Sequence, residues 1–332
     1  MNPGTIAVIG AGPVGGILAA HLYSTGHRVV IVDAWKEHLD RIRTNGLLIS
    51  GREEIQVRPT DLFSSVGSLR DIVPDFVFIC TKACDLDNVL DEIGDALKVS
   101  KAVFVSAQNG IDTEQIIARR IDRSRVLRAV ITWGGVLTRP GEIRETFFNA
   151  PNYLGWLDES AAEACRQAAG IMSSSGLATE ATGEIQKHVW RKAILNTCTM
   201  PLSAITGMNM QEVLEFAPTN RLVELLLNES IAVAAAFGFD YGPGFADGIR
   251  DFNKRAGPHK PSMLVDLENG RRTENPFLIR RVAEYGEQKG VPVPVHRTLA
   301  DLIDALEMRN SGIRKPEARR QKPEFQNGQD RM

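Results

Sequence analysis

Residues 10–15 read Gly10-Ala11-Gly12-Pro13-Val14-Gly15, which is the glycine pattern G-x-G-x-x-G. An apolar, β-branched run from Thr5 to Ile9 precedes this pattern, and an apolar segment with helical spacing follows it, from Val14 to about Thr25. Glycines placed between a strand and a helix are typical of sites that bind the pyrophosphate of a dinucleotide. We therefore predict a buried parallel strand, a tight turn, and a helix whose positive N-terminus receives the phosphates.

The three glycines have separate tasks in such a turn. Gly10 permits the tight bend, Gly12 lets the backbone approach the pyrophosphate, and Gly15 lets the helix pack closely on the strand. Pro13 and Val14 lie between Gly12 and Gly15, and the predicted helix begins at Val14. We predict that Gly10, Gly12, Pro13, Val14 and Gly15 all contribute to cofactor binding.

A second buried strand, Arg28 to Val32, ends at Asp33. A carboxylate at this position accepts hydrogen bonds from the adenine ribose hydroxyls and repels a 2′-phosphate, which favours NAD(H) over NADP(H). The alternative is an acidic strand end exposed to water. Arg28 lies too early in the strand to bind a phosphate there.

Further strand and helix signals follow in alternation. Apolar runs predict strands at Asp75–Cys80 and Ala102–Ser106, with a helix at Leu86–Leu97 between them. Ile49–Val57 and Arg128–Leu157 alternate in polarity and contain turn glycines, which predicts strands that extend or flank the sheet. This alternation indicates a doubly wound α/β domain of the Rossmann type.

The pattern changes after about Gly183, where little strand signal remains. We predict helices at Ile185–Leu195, Thr219–Phe237, Phe245–Arg255, Phe277–Lys289 and Val295–Met308. The predicted fold is therefore α/β, a Rossmann-type sheet followed by an all-helical C-terminal domain. We place the dinucleotide-binding domain at residues 1–183, the helical substrate domain at 184–309, and a polar, mostly disordered tail at 310–332.

Composition excludes several classes of function. The 332 residues include 39 Lys and Arg against 41 Asp and Glu, so the net charge of −2 gives no reason to expect nucleic acid or an anionic membrane as partner. No window holds about 18 uninterrupted apolar residues, so no membrane span is expected. The four cysteines are scattered and no Cys/His cluster has zinc spacing, so we expect no metal and a cytoplasmic protein. The apolar helices of the second half allow a homodimer as well as a core.

Polar residues follow two of the predicted parallel strands directly. Thr81-Lys82-Ala83 follows one strand, and Asn109-Gly110 follows the next. The carboxyl ends of parallel strands are where open α/β sheets bind ligands. We therefore expect Lys82 and Asn109 to lie at a ligand site, the alternative for the lysine being a solvated strand end.

In the helical half, Lys192 and Asn196 lie one turn apart on the same helical face. Their neighbours are largely apolar. A lysine here either loses solvent, which lowers its pKa toward values useful for proton transfer, or extends along the helix to reach water.

Taken in order along the chain, these motifs resemble those of the ketopantoate reductase (2-dehydropantoate 2-reductase) family, from about Ile6 to Glu307. Beyond the glycine turn, the matching stretches are Thr81-Lys82-Ala83, Gln108-Asn109-Gly110, Trp190-Arg191-Lys192 with Asn196, Pro201-Leu202, Ser262-Met263-Leu264, Asp266, and Arg272-Thr273-Glu274. Their order and separations are more specific than any single motif.

The resemblance implies catalytic roles for two residues. Lys192 resembles the lysine that acts as general acid and protonates the carbonyl oxygen as hydride arrives. Glu274 resembles the glutamate that holds this lysine and the substrate hydroxyl. Hydride transfer to a ketone builds negative charge on oxygen, and an ammonium supplies both a proton and a favourable field.

The resemblance also implies binding roles. Asn196 and Ser262 look like the groups that bind the substrate hydroxyl and carboxylate. Lys82 and Asn109 are similar to the residues that approach the nicotinamide ribose and the reacting carbon, so Asn109 is expected to contact both substrate and cofactor.

The chain departs from the family pattern at three places. The family norm is NADP(H), with a basic or neutral residue where this chain has Asp33. The family's acidic-aromatic stretch ending in Asn-Gly is replaced by Asn275-Pro276-Phe277-Leu278-Ile279-Arg280, and the stretch Arg128–Gly135, with Trp133, also differs. These departures concern the identity of the substrate more than the class of reaction.

We therefore predict an oxidoreductase that reduces the C2 carbonyl of a small 2-keto acid to a D-2-hydroxy acid with NAD(P)H. The alternatives are an NAD-dependent D-2-hydroxyacid dehydrogenase of the D-mandelate type, a β-hydroxyacid or opine-like dehydrogenase, and a non-catalytic NAD-binding redox sensor.

Overall fold

The strand, glycine turn and helix expected at the start of the chain are present in the computed structural model, which describes residues 4–98 and 101–310. The strands are β1 (Thr5–Ile9), β2 (Arg28–Val32), β3 (Leu47–Ser50), β4 (Ile55–Val57), β5 (Asp61–Phe63), β6 (Phe76–Ile79), β7 (Val103–Ser106), β8 (Val126–Val130), β9 (Trp133–Arg139), β10 (Glu142–Phe148), β11 (Asn152–Trp156) and β12 (Thr179–Thr182). The helices are α1 (Pro13–Ser24), α2 (Lys36–Asn45), α3 (Leu86–Lys98), α4 (Thr113–Ala118), α5 (Ala162–Ser174), α6 (Ile185–Thr197), α7 (Met200–Thr206), α8 (Met210–Glu215), α9 (Ala217–Ala236), α10 (Phe245–Arg255), α11 (Ser262–Glu268), α12 (Ile279–Lys289) and α13 (Pro294–Asn310).

Eight strands form the main sheet, in the order β12-β11-β8-β7-β6-β1-β2-β5. The six strands from β5 to β8 pair in parallel, β11 pairs antiparallel with β8, and β12 pairs in parallel with β11. The chain winds outward from β1 to β5 in one direction and from β6 to β8 in the other. The strand order therefore reverses between β1 and β6, which is where open α/β sheets bind nucleotides.

The strands predicted at Ile49–Val57 and Arg128–Leu157 are divided between two sheets. A second sheet, with the order β4-β3-β10-β9, packs on α1, and β8 and β11 belong to the main sheet. Ile49–Val57 is broken into two strands because the backbone turns at Gly51, where φ is +106°. Both the extending and the flanking strands of the prediction are thus observed.

Buried strands explain the apolar runs of the sequence. All four residues of β6 are buried, as are the last four of β1 and of β2, because helices cover both faces of the parallel sheet. The predicted α/β fold with a Rossmann-type sheet is confirmed.

Between Ile185 and Asn310 the described chain contains helices and their connections, without strands. The five predicted helices correspond to α6, α9, α10, α12 and α13. The helix predicted from Phe277 begins at Ile279 instead, because Asn275–Phe277 forms a short 3-10 turn containing Pro276. Asn310 ends α13, and the remainder of the predicted tail lies outside the described residues.

Candidate active site

The glycine turn leaves room for a phosphate group. At Gly10 φ is +93°, and a Cβ on Gly15 would lie 1.9 Å from the carbonyl oxygen of Gly10, so neither position accepts a side chain. A Cβ on Gly12 would meet nothing within 4 Å, so the space over this residue is open. No side chain caps the N-terminus of α1, whose amide groups face an anion if one binds. The turn therefore fits the pyrophosphate of a dinucleotide.

Asp33 is partly buried at the end of β2 and is held by two backbone amides. Its Oδ2 accepts a hydrogen bond from the Ala11 amide at 2.7 Å, and its Oδ1 accepts one from the Trp35 amide at 2.8 Å. Carboxylate oxygens have more than one acceptor site each, so both can still accept from ribose hydroxyls. The geometry differs from that of a solvated strand end, because Asp33 is bonded to the glycine turn itself.

Lys82, at the carboxyl end of β6, forms an ion pair with the helical half of the chain. Its Nζ lies 2.6 Å from Oδ2 of Asp266 on α11, which is buried and also pairs with Arg271 at 3.1 Å. Burial by itself lowers the pKa of Lys82. The charges of Glu274 and Asp266 outweigh it and raise this pKa above its usual value. Lys82 is therefore a fixed positive charge at neutral pH.

Glu274 connects the two strand-end motifs. It is buried, its Oε2 accepts a hydrogen bond from Asn109 Nδ2 at 3.2 Å, and its Oε1 accepts one from the Ala83 amide at 3.4 Å. The two strand-end motifs predicted to share a ligand site are therefore joined by one carboxylate from the helical half.

Lys192 extends from α6 to the end of β8. Its Nζ donates a hydrogen bond to the carbonyl oxygen of Ile131 at 2.6 Å, the one hydrogen bond it makes within the described residues. Burial, and then the positive charge of Arg128, lowers the pKa of Lys192 to about 8, while the charge of Glu274 opposes the change. An ammonium donates up to three hydrogen bonds, so donors remain for another acceptor.

Asn196 and Ser262 are less closely tied to this group. Asn196 lies one turn beyond Lys192 on α6, and Ser262 lies one turn before Asp266 on α11. Both are partly buried, and neither side chain has a hydrogen-bond partner among the described residues. The structure places them on the helices that carry the site, without joining them to Lys192 or Glu274.

Two models of one protein family match this chain. A model described as "Ketopantoate reductase PanE/ApbA" matches residues 6–159, and one described as "Ketopantoate reductase PanE/ApbA C terminal" matches residues 184–307. The chain belongs to the ketopantoate reductase family. The predicted family is thus confirmed, and the protein is an oxidoreductase that uses a nicotinamide cofactor.

Similar proteins cover nearly all of this chain. The 2-dehydropantoate 2-reductase of Halobacterium salinarum is 28% identical over 308 residues (90% of this chain, 97% of the relative), and that of Archaeoglobus fulgidus is 26% identical over 302 (91% and 97%). A solved D-mandelate dehydrogenase complex with NADH has a TM-score of 0.80 and 25% identity, covering 92% of this chain and 99% of its own. A Methylococcus capsulatus 2-dehydropantoate 2-reductase has a TM-score of 0.77 and 26% identity, covering 92% and 98%.

The two stretches that depart from the family pattern border the site. The carbonyl oxygen of Phe277 accepts a hydrogen bond from the Ile111 amide at 2.9 Å, and a Cβ on Gly110 would lie 2.5 Å from Phe277 Cβ. The indole of Trp133 is buried and donates to the Val14 carbonyl at 3.4 Å, against the first turn of α1.

Arg128 begins one of the stretches that depart from the family pattern, and the sequence predicted no role for it. It is buried on β8, where it donates to the carbonyl oxygens of Gln108 and Gly110, each at 2.8 Å, and pairs with buried Glu114 at 3.4 Å. An arginine between the apolar residues of a buried strand was the one available signal.

Two further observations concern metal ions and membranes. Within residues 4–98 and 101–310, no group of three His, Cys, Asp or Glu side chains is placed to hold a metal ion. In the same part of the chain, none of the helices has the length and apolar character required to cross a membrane.

Proposed function

We propose that the enzyme reduces the C2 carbonyl of a small 2-keto acid, 2-dehydropantoate or an analogue, to the D-2-hydroxy acid with NAD(P)H. The observation that carries the proposal is the position of Lys192. Its Nζ donates to the Ile131 carbonyl oxygen at 2.6 Å, at the end of β8, and the charge that opposes the lowering of its pKa comes from Glu274, which accepts a hydrogen bond from Asn109 at 3.2 Å. The substrate named for the curated relatives in Halobacterium and Archaeoglobus supports 2-dehydropantoate.

When bound, the nicotinamide supplies the hydride for this reaction. Lys192 Nζ donates a hydrogen bond to the substrate carbonyl oxygen and transfers its proton as negative charge develops there. A donor pKa near the working pH is efficient, because the ammonium is populated and its proton leaves readily. Glu274 keeps an opposite charge nearby, which stabilises the ammonium before the transfer.

Binding of the substrate rests on the polar side chains around Lys192. Asn196 and Ser262 have no protein partner among the described residues, so their hydrogen-bonding capacity is available to a hydroxyl and a carboxylate of the substrate. Asn109 is held by Glu274 at the end of β7, and we assign it contacts with substrate and cofactor. Lys82 is assigned to the nicotinamide ribose, with its position fixed by Asp266.

For the cofactor we propose NAD(H), although the family norm is NADP(H). Asp33 carries the argument, since its carboxylate borders the glycine turn and would repel a 2′-phosphate. We also propose the division into a dinucleotide-binding domain at residues 1–183 and a substrate domain at 184–309.

A second candidate is an NAD-dependent D-2-hydroxyacid dehydrogenase of the D-mandelate type. The D-mandelate dehydrogenase complex with NADH that resembles this chain supports it, as does Asp33. The two candidates share Lys192 chemistry and differ in the group attached to the keto acid.

The test is steady-state turnover of 2-dehydropantoate and a panel of aromatic and branched 2-keto acids, each with NADH and NADPH. The proposal expects turnover of at least one 2-keto acid and a preference for NADH. Turnover of aromatic keto acids without 2-dehydropantoate would select the second candidate. Amines and 3-hydroxy acids are assayed in parallel, and activity confined to them would overturn both candidates.

Two further predictions concern the cell. We propose a cytoplasmic enzyme, supported by the four free thiols of Cys80, Cys84, Cys165 and Cys198. The homodimer stays a prediction.

A further inference from the structure

Arg128 is buried in a place where an apolar residue would cost less. Its neighbours Leu127 and Ala129 on β8 belong to the core, and only 2% of Arg128 is exposed. Removing a guanidinium from water costs several kcal/mol unless an ion pair and hydrogen bonds replace the water, and apolar residues of similar size often substitute without loss of stability. Stabilisation of the fold is therefore a weak explanation for a buried arginine at this position, and a functional explanation is needed.

The guanidinium binds three carbonyl oxygens at the end of β7 and in the loop that follows it. It donates to the carbonyl oxygens of Ser106, Gln108 and Gly110, at 3.2, 2.8 and 2.8 Å. Gln108 and Gly110 flank Asn109, whose side chain donates to Glu274. Arg128 thus fixes the backbone on both sides of a residue assigned to substrate and cofactor.

Its charge also acts on the proton donor. The charged groups that act on Lys192 are Arg128 on β8 and Glu274 in the segment after α11, and they act in opposite directions. The Arg128 partner, Glu114, has no exposed surface and also accepts a hydrogen bond from Gln186 on α6 at 2.9 Å. This ion pair therefore lies between the loop of Asn109 and the helix of Lys192.

We propose that Arg128 is a positioning residue of this reductase, one that fixes the loop of Asn109 and keeps a permanent positive charge near Lys192. The proposal rests on the proposed function of Lys192 as proton donor. It explains why a fork-shaped, always charged side chain occupies the site, because Lys supplies the charge without the fork and Met supplies neither.

Three variants separate the two effects, and each is measured in two ways. The pKa of Lys192 is measured by NMR of ¹³C-labelled lysine in the cofactor-free protein, with the signal assigned by its loss in Lys192→Ala. The pH profile of kcat/KM for reduction is measured in parallel. Arg128→Met, and Arg128→Met with Glu114→Gln to avoid an unpaired buried carboxylate, should both raise the Lys192 pKa by about one unit and move the alkaline limb upward. Arg128→Lys should leave the pKa unchanged while kcat falls about tenfold through the loosened loop.

Arg139 on β9 is a matched control, since it is exposed and pairs only with Glu142 in the described structure. Arg139→Met should change neither quantity. If Lys192 titrates at the same pH in the folded Arg128→Met, Glu114→Gln protein as in wild type, the inference about Arg128 is wrong, whereas the proposed function stands. If Lys192→Ala retains turnover, the proposed function fails whatever the Arg128 variants show.

Discussion

Two clusters of polar side chains in this molecule contain similar types of residue but differ in the chemistry that they can perform. The site cluster consists of Lys82, Asn109, Lys192, Asp266 and Glu274. The core network, within the helical half, consists of Thr197, Glu229, Ser230 and His296. Each contains a carboxylate beside a basic group, and both are drawn from distant parts of the chain.

The core network has the serine, histidine and carboxylate order of a hydrolase. His296 Nδ1 lies 2.7 Å from Glu229 Oε2, His296 Nε2 lies 2.9 Å from Ser230 Oγ, and that hydroxyl lies 3.0 Å from Thr197 Oγ1. Ser230 and His296 have no exposed surface, so a substrate cannot reach the hydroxyl. The network satisfies its own polar groups and serves the packing of α6, α9 and α13.

The site cluster has unused hydrogen-bonding capacity at the proposed proton donor. Lys192 uses one donor within the described residues, its pKa is lowered to about 8, and 35% of the Lys82 side chain is exposed. The types of residue in a network therefore do not identify an active site. It is identified by access for a substrate and by unused hydrogen-bonding capacity in a charged environment.

The largest effect should come from Lys192→Ala. We expect kcat to fall about 10³-fold, because the reaction loses its proton donor. Cofactor affinity and melting temperature should change little, measured by NADH titration and circular dichroism. Lys187→Ala, on the same helix, is the control and should keep wild-type turnover. Substantial turnover in Lys192→Ala would exclude the site cluster from the mechanism.

A smaller loss is expected for Glu274→Gln. Because the charge of Glu274 raises the pKa of Lys192, its removal should lower that pKa and move the alkaline limb of the reduction to lower pH. The fall in kcat should be about 10²-fold. An unmoved limb in the pH profile would show that Glu274 does not act on Lys192.

Asp33→Asn should change cofactor choice rather than chemistry. The amide oxygen can still accept a hydrogen bond from Ala11, while the repulsion of a 2′-phosphate is lost. The ratio of kcat/KM for NADPH to that for NADH should rise about tenfold. An unchanged ratio would place cofactor selectivity elsewhere.

The smallest catalytic effect is expected in the core network. Ser230→Ala should lower the free energy of unfolding by about 1–2 kcal/mol, because His296 and Thr197 lose a buried partner. Its kcat should equal that of wild type. A loss of turnover without a loss of stability would contradict the purely structural role that the comparison assigns.

The sequence was informative where function depends on neighbouring residues. The glycine turn and Asp33 follow from a strand, a turn and a second strand within the first 33 residues, and Lys192 with Asn196 follows from helical spacing. Lys82 and Asp266 are 184 positions apart, so no local pattern predicts their ion pair. The pair of Arg128 and Glu114 was not predicted for a related reason, since the burial of both residues depends on the packing of α4 and α6 against β8. The core network was missed as well, because Glu229 and His296 meet only when α9 packs against α13.

The proton transfer assigned to Lys192 is tested most directly by the pH dependence of kcat/KM in both directions of the reaction. Reduction needs the ammonium, so its kcat/KM should fall as pH rises through about 8, while oxidation of the hydroxy acid needs the free amine and should rise through the same pH. Profiles without these opposed limbs, or limbs that survive in Lys192→Ala, would contradict the account.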